Sequence, residues 1–289
     1  MDNKKLNRRD FIKTTSIGVA ALALPAGTKA ADVSCDKKEF CYFVMADPQL
    51  FWGSKESWEK AIGFANKLKP DFVVVCGDLV NNAGDEDEAK AYLEATGKLN
   101  KKIPLYNVCG NHDYKISEPA SLEWYQVRFG NPWYSFEYKK NLFIVFESTM
   151  IKYGSEDWHI YKWQMQWLER TLLEAQNKNY DNITVYTHYP LALKKVDEPD
   201  EYANLPKTRR MKLLEMFHKY NVKAVFSGHF HHNTYVKDGE LELITTNSSG
   251  IALSQMGEPE QPIGFRIVKM SPAGLEHKYY SYEDLPEKL

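Results

Sequence analysis

The chain has 289 residues, 43% hydrophobic and 26% charged. That is enough for a large domain with a sizeable core, and it excludes a disordered or fibrous chain. The net charge of -2 and pI near 6.5 provide no basic stripe for a phosphate backbone, which excludes a nucleic-acid partner.

Residues 1–30 read as an export signal. Arg8-Arg9-Asp10-Phe11-Ile12-Lys13 precedes a short apolar stretch from Ser16 to Leu24, then Pro25 and small residues to Ala31. Spanning a bilayer takes roughly 20 apolar residues, so no stable membrane insertion is expected after cleavage. The arginine pair resembles a twin-arginine signal, which implies the twin-arginine export machinery and a periplasmic or secreted protein. Cleavage is expected after Ala30, leaving 31 basic and 37 acidic residues, net -6. A short segment, 31–39, then leads into one domain, 40–289. Cys35, Cys41, Cys76 and Cys109 allow three pairings, and spacing does not choose among them.

From Phe40 the pattern alternates. Strands are expected at Phe40–Ala46, Phe72–Cys76, Ile103–Cys109, Leu142–Ser148, Ile183–Thr187 and Val222–Ser227. Between them, helical spacing marks Ser57–Leu68, Asp85–Leu99, Tyr161–Asn177 and Lys207–Tyr220. Leu241–Thr246, Phe265–Met270 and Glu276–Tyr282 follow as strands without helices. The fold class is therefore α/β, an α/β sandwich with parallel strands near a site and antiparallel ones behind it. Segments Tyr114–Trp133, Met150–Trp163 and Leu191–Arg210 are expected as loops around that site. They carry Trp124, Trp133, Trp158 and the basic group Lys194, Lys195, Lys207, Arg209 and Arg210.

Five polar motifs follow strand ends, where open α/β sheets build ligand sites. They are Asp47-Pro48-Gln49, Gly77-Asp78, Gly110-Asn111-His112-Asp113, Thr187-His188 and Gly228-His229-Phe230-His231. Oxygen and imidazole donors suit hard cations, and a shared carboxylate lets two ions clamp a phosphoryl group. Each residue also has a plainer reading. Asp47 and Asp78 suit helix caps, Asn111 a turn, and His188 a core position. Their order and placement favour ligands. Alternation puts His229 and His231 on one side of an extended segment, with His232 directed away. His159, His218 and His277 read as surface residues.

The ordered set resembles the calcineurin-like metallophosphoesterases over nearly all of residues 40–235. Their pattern is Asp-x-His, Gly-Asp, Gly-Asn-His-Asp or Glu, a lone His, and Gly-His-x-His. The segment Phe129–Phe136 is also similar to the one before their fourth strand. The resemblance implies that Asp78 bridges two ions, with Asp47, Gln49 and His231 on the first and Asn111, His188 and His229 on the second. His112 would act on the phosphoryl group or leaving group, with Asp113 orienting its imidazole, and Asn81 stands where the family often has an outer Asp. A hydroxide bridging the ions would attack phosphorus in line. Gln49 is the departure, because an amide oxygen is a weaker donor than imidazole. Two divalent ions (Mn, Mg, Fe or Zn) are implied, with Mn or Mg favoured at the Gln49 site. A branch with Asp-Pro-Gln acts on phosphoserine and phosphothreonine. The expected function is metal-dependent hydrolysis of phosphate monoesters, on a small phosphate ester or a phosphoprotein. Phosphodiester hydrolysis, or a catalytically silent metal-binding module, are the alternatives.

Overall fold

The structure, a computed structural model, describes residues 39–289. The expected signal at 1–30, Cys35 and all but the last residue of segment 31–39 lie outside them. Among the described residues no helix is long and apolar enough to cross a membrane.

Eleven strands and six helices are described: β1 Phe40–Met45, α1 Lys55–Leu68, β2 Val73–Val75, α2 Glu86–Thr96, β3 Leu105–Asn107, α3 Pro119–Phe129, β4 Tyr134–Tyr138, β5 Asn141–Val145, α4 Thr149–Tyr153, α5 His159–Ala175, β6 Asn182–Tyr186, α6 Lys207–Lys219, β7 Ala224–Ser227, β8 Thr234–Asp238, β9 Leu241–Thr245, β10 Gly264–Ser271 and β11 Gly274–Ser281. They build two mixed sheets, ordered β11-β10-β1-β2-β3 and β4-β5-β6-β7-β9-β8. Parallel strands β1-β2-β3 and β5-β6-β7-β9 form the centres, while β4, β8, β10 and β11 pair antiparallel beside them. The antiparallel strands thus flank the site-bearing strands in the same sheets; they do not form a layer behind them.

Period-two alternation sorts the strand side chains into layers. Phe40, Tyr42, Val44, Val74, Phe143, Val145, Phe226 and Val268 meet between the sheets. Phe43, Met45, Val73 and Val75 turn outward onto Trp58, Ile62, Ala65, Tyr92 and Tyr125 of α1–α3. On the opposite side Leu142, Ile144, Ile183 and Val185 pack on Leu168, Leu172, Leu213 and Phe217 of α5 and α6. Trp58 is fully buried, stacked 5.6 Å from Tyr92, and its indole N–H donates to Thr96 at 3.0 Å.

The helix starts rule out the plainer reading of two site carboxylates. Ser54 caps α1 by accepting from Ser57 N, and Asp85 caps α2 by accepting from Asp87 N and Glu88 N. Asp47 and Asp78 cap neither.

Several elements differ from the sequence reading. Helix α3 lies within the expected loop 114–133, with Pro119 in its first turn and no side-chain cap. Trp124 and Arg128 on it bind Glu86 of α2, so Trp124 braces two helices. Strand β4 turns into β5 through Lys139 (φ 44°) and Lys140 (φ 60°). Tight hairpins usually place Asn or Gly there, so this turn had no visible signal. Strand β8 was hidden by its exposed face and three polar residues.

Candidate metal centre

Every motif sits just beyond the carboxyl end of a parallel strand. Asp47 follows β1, Asp78 follows β2, Asn111 follows β3, His188 follows β6, and His229 follows β7. Backbone ladders continue past the strands: Asp47 N donates to Gly77 O at 3.1 Å, Gln49 N to Asp78 O at 2.8 Å, and Gly228 N to His188 O at 3.0 Å. The motifs are thereby held at fixed heights relative to one another. Asp47, Gln49, Asp78, His188, His229 and His231 are all buried, with Asn111 and His112 half-buried at the mouth.

The backbone there is unusual. Asp47 (φ 49°), Gln49 (φ 42°), Asp78 (φ 51°), His229 (φ 66°) and His231 (φ 51°) all lie in the left-handed region. Each such non-glycine residue costs on the order of 1–3 kcal/mol, and such strain clusters at functional sites. The kinks correct the expectation of an extended segment through 229–231. His229 and His231 diverge, the first toward His188 and Asp78, the second toward Asp47.

Glycines give the room. A Cβ on Gly110 would lie 2.1 Å from Asp78 Oδ1, and one on Gly77 would lie 2.6 Å from His188 Nδ1. Each motif therefore leaves space for a candidate ligand of another.

The densest cluster surrounds His188. Its Nδ1 lies 2.9 Å from Cys76 O, so that nitrogen carries the hydrogen and Nε2 holds the lone pair. Around Nε2 stand Asn111 Oδ1 at 2.9 Å, Asp78 Oδ2 at 3.2 Å and His229 Nδ1 at 3.2 Å. Oxygen and nitrogen donors thus converge around one point, as ligands do around a cation. Burial opposes a charged ring, but Asp78, then Asp47 and the Cys76 carbonyl, raise His188 to about 9. His229 is pushed well down, by burial first and then by His188. Burial likewise opposes ionised Asp78, yet His188 and His112 hold it below the usual carboxylate range.

The second group is looser. His231 Nε2 lies 3.4 Å from Asp47 Oδ1. Asp47 accepts from His229 N through Oδ1 at 3.1 Å and Oδ2 at 3.0 Å. Gln49 donates through Nε2 to Asn81 Oδ1 at 3.4 Å. Among the described residues eight buried side-chain atoms lack a hydrogen-bond partner, and three of them gather here: Gln49 Oε1, His229 Nε2 and His231 Nδ1. Buried polar atoms are rarely left so. All three belong to candidate ligands, and the donor set of carboxylate, amide and imidazole fits hard or borderline divalent ions.

His112 stands beside this cluster. Its backbone N donates to Asp78 Oδ1 at 2.9 Å, and its Nδ1 lies 2.7 Å from Asn81 O. The carbonyl only accepts, so Nδ1 carries a hydrogen and Nε2 is the nitrogen left available to exchange one. The expectation that Asp113 orients this ring is corrected by the geometry. Asp113 accepts instead from Leu79 N at 2.8 Å, Val80 N at 3.1 Å and Gly110 N at 2.8 Å, clasping the β2 and β3 loops. Burial, then Asp78, pushes its carboxyl up to about 7.

Sequence reasoning missed other supports. Ser148 Oγ accepts from His188 N and Tyr189 N, and Ser248 Oγ donates to Asp47 O at 2.8 Å. Glu88 accepts from Asn81 N and Asn82 N, holding the loop that orients His112. Their single Ser and Glu letters carry no motif.

Other expected residues fall elsewhere. His232 is buried, between Phe230 O and Pro259 O. His277 is half-buried between Arg266 and Glu242, not a surface residue. Four of the five in the basic group have partners: Arg210 is fully buried against Leu191 O and Glu198, Arg209 donates to Ile151 O, and on the surface Lys194 pairs with Glu258 and Lys195 with Asp197.

The sequence profile for calcineurin-like phosphoesterase matches residues 42–233. Human serine/threonine-protein phosphatase CPPED1 is 31% identical over 280 residues, covering 87% of each chain. Among solved structures, a purple acid phosphatase from yellow lupin superposes with a TM-score of 0.68 at 15% identity, over 85% of this chain and 52% of that one. A dimetal phosphatase from Danio rerio superposes with a TM-score of 0.55 at 14% identity, over 84% of this chain and 99% of that one. At those identities the structural likeness speaks for the fold alone.

Proposed function

This chain belongs to the calcineurin-like phosphoesterase family, and from that premise we propose that it is an exported metal-dependent phosphatase acting on phosphate monoesters, small or carried on protein. The observation that carries the reading is the convergence of Asp78, Asn111 and His229 on the His188 Nε2 lone pair. These residues would hold one ion. Asp47, Gln49 and His231 would hold another, with Asp78 common to both.

Two such ions supply the Lewis acidity that polarises a phosphoryl group and activates water near neutral pH. The protein's share is positioning and proton transfer. Water's oxygen forms a bond to phosphorus as the ester P–O bond breaks. The departing oxygen takes a proton from His112 Nε2, while Nδ1–H stays on Asn81 O. The water's proton leaves to solvent, so no covalent enzyme intermediate is required.

The neutral oxygen of Gln49 supports Mn or Mg at the first position over a tightly held ferric ion. Support for export comes from Arg8-Arg9, the apolar stretch and the small-residue exit at Thr28-Lys29-Ala30. Replacing both arginines by lysine should retain the precursor in the cytoplasm; unchanged export would remove the twin-arginine reading.

The activity test is turnover of an aryl phosphate monoester by the mature protein with Mn²⁺, beside a matched diester. Metal-dependent release from the monoester, abolished by chelation, supports the reading. A faster diester reaction would move it to phosphodiester hydrolysis, and absence of both would leave a silent metal-binding module.

A further inference from the structure

The turn that carries Gln49 also displays two large rings to solvent. Trp52 N and Gly53 N both donate to Gln49 O, at 3.1 and 2.7 Å, closing a tight turn immediately after the candidate ligand. Phe51, at its tip, has φ 75°, a strained conformation for a bulky side chain. Strain here is not repaid by burial: Phe51 is 68% exposed and Trp52 49% exposed. The indole lies with its centre 6.2 Å from the His112 ring and 6.4 Å from the His231 ring.

A second loop presents an aromatic ring to the other group. Tyr202, 57% exposed, has its ring centre 5.0 Å from His229. Lys152 Nζ holds this loop by donating to Glu201 O at 2.9 Å and to Asn204 O. Aromatic rings therefore reach the candidate centre from separate loops. Lys152 is thereby occupied by backbone carbonyls.

We infer that Trp52 is a specificity-determining residue whose indole face receives the leaving group, selecting phosphomonoesters of flat aromatic alcohols, phosphotyrosine-like side chains included, over short alkyl esters. The inference rests on the phosphatase reading above. If His112 protonates the departing oxygen, the leaving group lies on the His112 side, which is the side of Trp52. An indole face stacks well on a flat apolar group and gains little from a short alkyl chain.

The test compares kcat/KM for phenyl phosphate and ethyl phosphate in the Mn²⁺-loaded mature protein, as wild type, W52A and W52F. Their ratio, which cancels intrinsic reactivity between variants, should fall about tenfold in W52A and recover in W52F. Calorimetric titration with phenylphosphonate and methylphosphonate should show the same selective loss in W52A without any turnover. A ratio unchanged in W52A, or equal weakening of both phosphonates, would overturn the inference and leave Trp52 a support for the Gln49 turn. Failure of every variant to hydrolyse either ester would instead count against the phosphatase reading, while the phosphonate titrations would still decide the aromatic slot.

Discussion

The side-chain nitrogen of Gln49 donates to Asn81 Oδ1 at 3.4 Å, while the amide oxygen of Gln49 is buried with no hydrogen-bond partner. One end of the amide is anchored and the other is presented. Asn81 also accepts through its backbone oxygen from His112 Nδ1. A single residue thus holds both the amide of Gln49 and the imidazole of His112.

Replacing Gln49 by Ala removes the presented oxygen. Affinity for one of two ions should fall by at least about tenfold, a loss of the size seen when metal-site support is removed. Elemental analysis after gel filtration should then move toward one ion per chain. Two tightly held ions in the variant would show that Gln49 does not coordinate.

His112 and Asp113 should separate cleanly. H112A should lose about 10²–10⁴ in kcat with metal content unchanged, the range for a lost proton donor. D113N leaves three backbone donors facing an amide that offers one oxygen, and should cost about 1–3 kcal/mol in denaturant unfolding. Its residual activity should keep the wild-type pH profile. A shifted profile without loss of stability would mean that Asp113 acts on the imidazole.

Gly110 has no room for a side chain, since an added Cβ would meet Asp78 Oδ1 at 2.1 Å. G110A should therefore displace the carboxylate or the loop and lower stability by about 1–3 kcal/mol, with loss of bound metal. Thermal midpoints read with and without Mn²⁺ check both effects. Wild-type metal content in the variant would sink the argument.

His277 should contribute to an acid limb in stability. Its Nδ1 accepts from Arg266 Nη1 at 2.9 Å and its Nε2–H faces Glu242 Oε2 at 3.2 Å. Burial, then Arg266, lowers the ring from 6.5 to about 4. A folded value below the unfolded one means the unfolded chain takes the proton first. The ring has no effect above pH 6.5, and stability falls as pH drops from 6.5 toward 4, then levels. H277Q should flatten that limb in denaturant midpoints taken across the window; an unaltered limb would assign it to another group.

The family and the donor set were legible in the letters, because residue type and spacing after apolar runs are local properties. Asp47, Gln49, Asp78, Asn111, His188, His229 and His231 all lie where strand ends were expected. Strand β4 was not legible, since its turn uses lysines in a conformation that usually calls for Asn or Gly. The outer supports were equally hidden. Ser148, Ser248 and Glu88 act through single hydrogen bonds to distant backbone, and no short-range pattern announces them.

What the sequence by itself determined is the chemistry on offer: oxygen and imidazole donors in order, with one amide where the family has a histidine. Tertiary structure alone decided how those donors are used. It turned Asp113 away from His112 and onto three backbone amides, gave the imidazole to Asn81, and set Trp52 beside the centre. The reason is geometric. Which atom a side chain faces depends on left-handed kinks at five of the candidate ligands and on ladders between strands far apart in the chain, and neither is written in residue spacing.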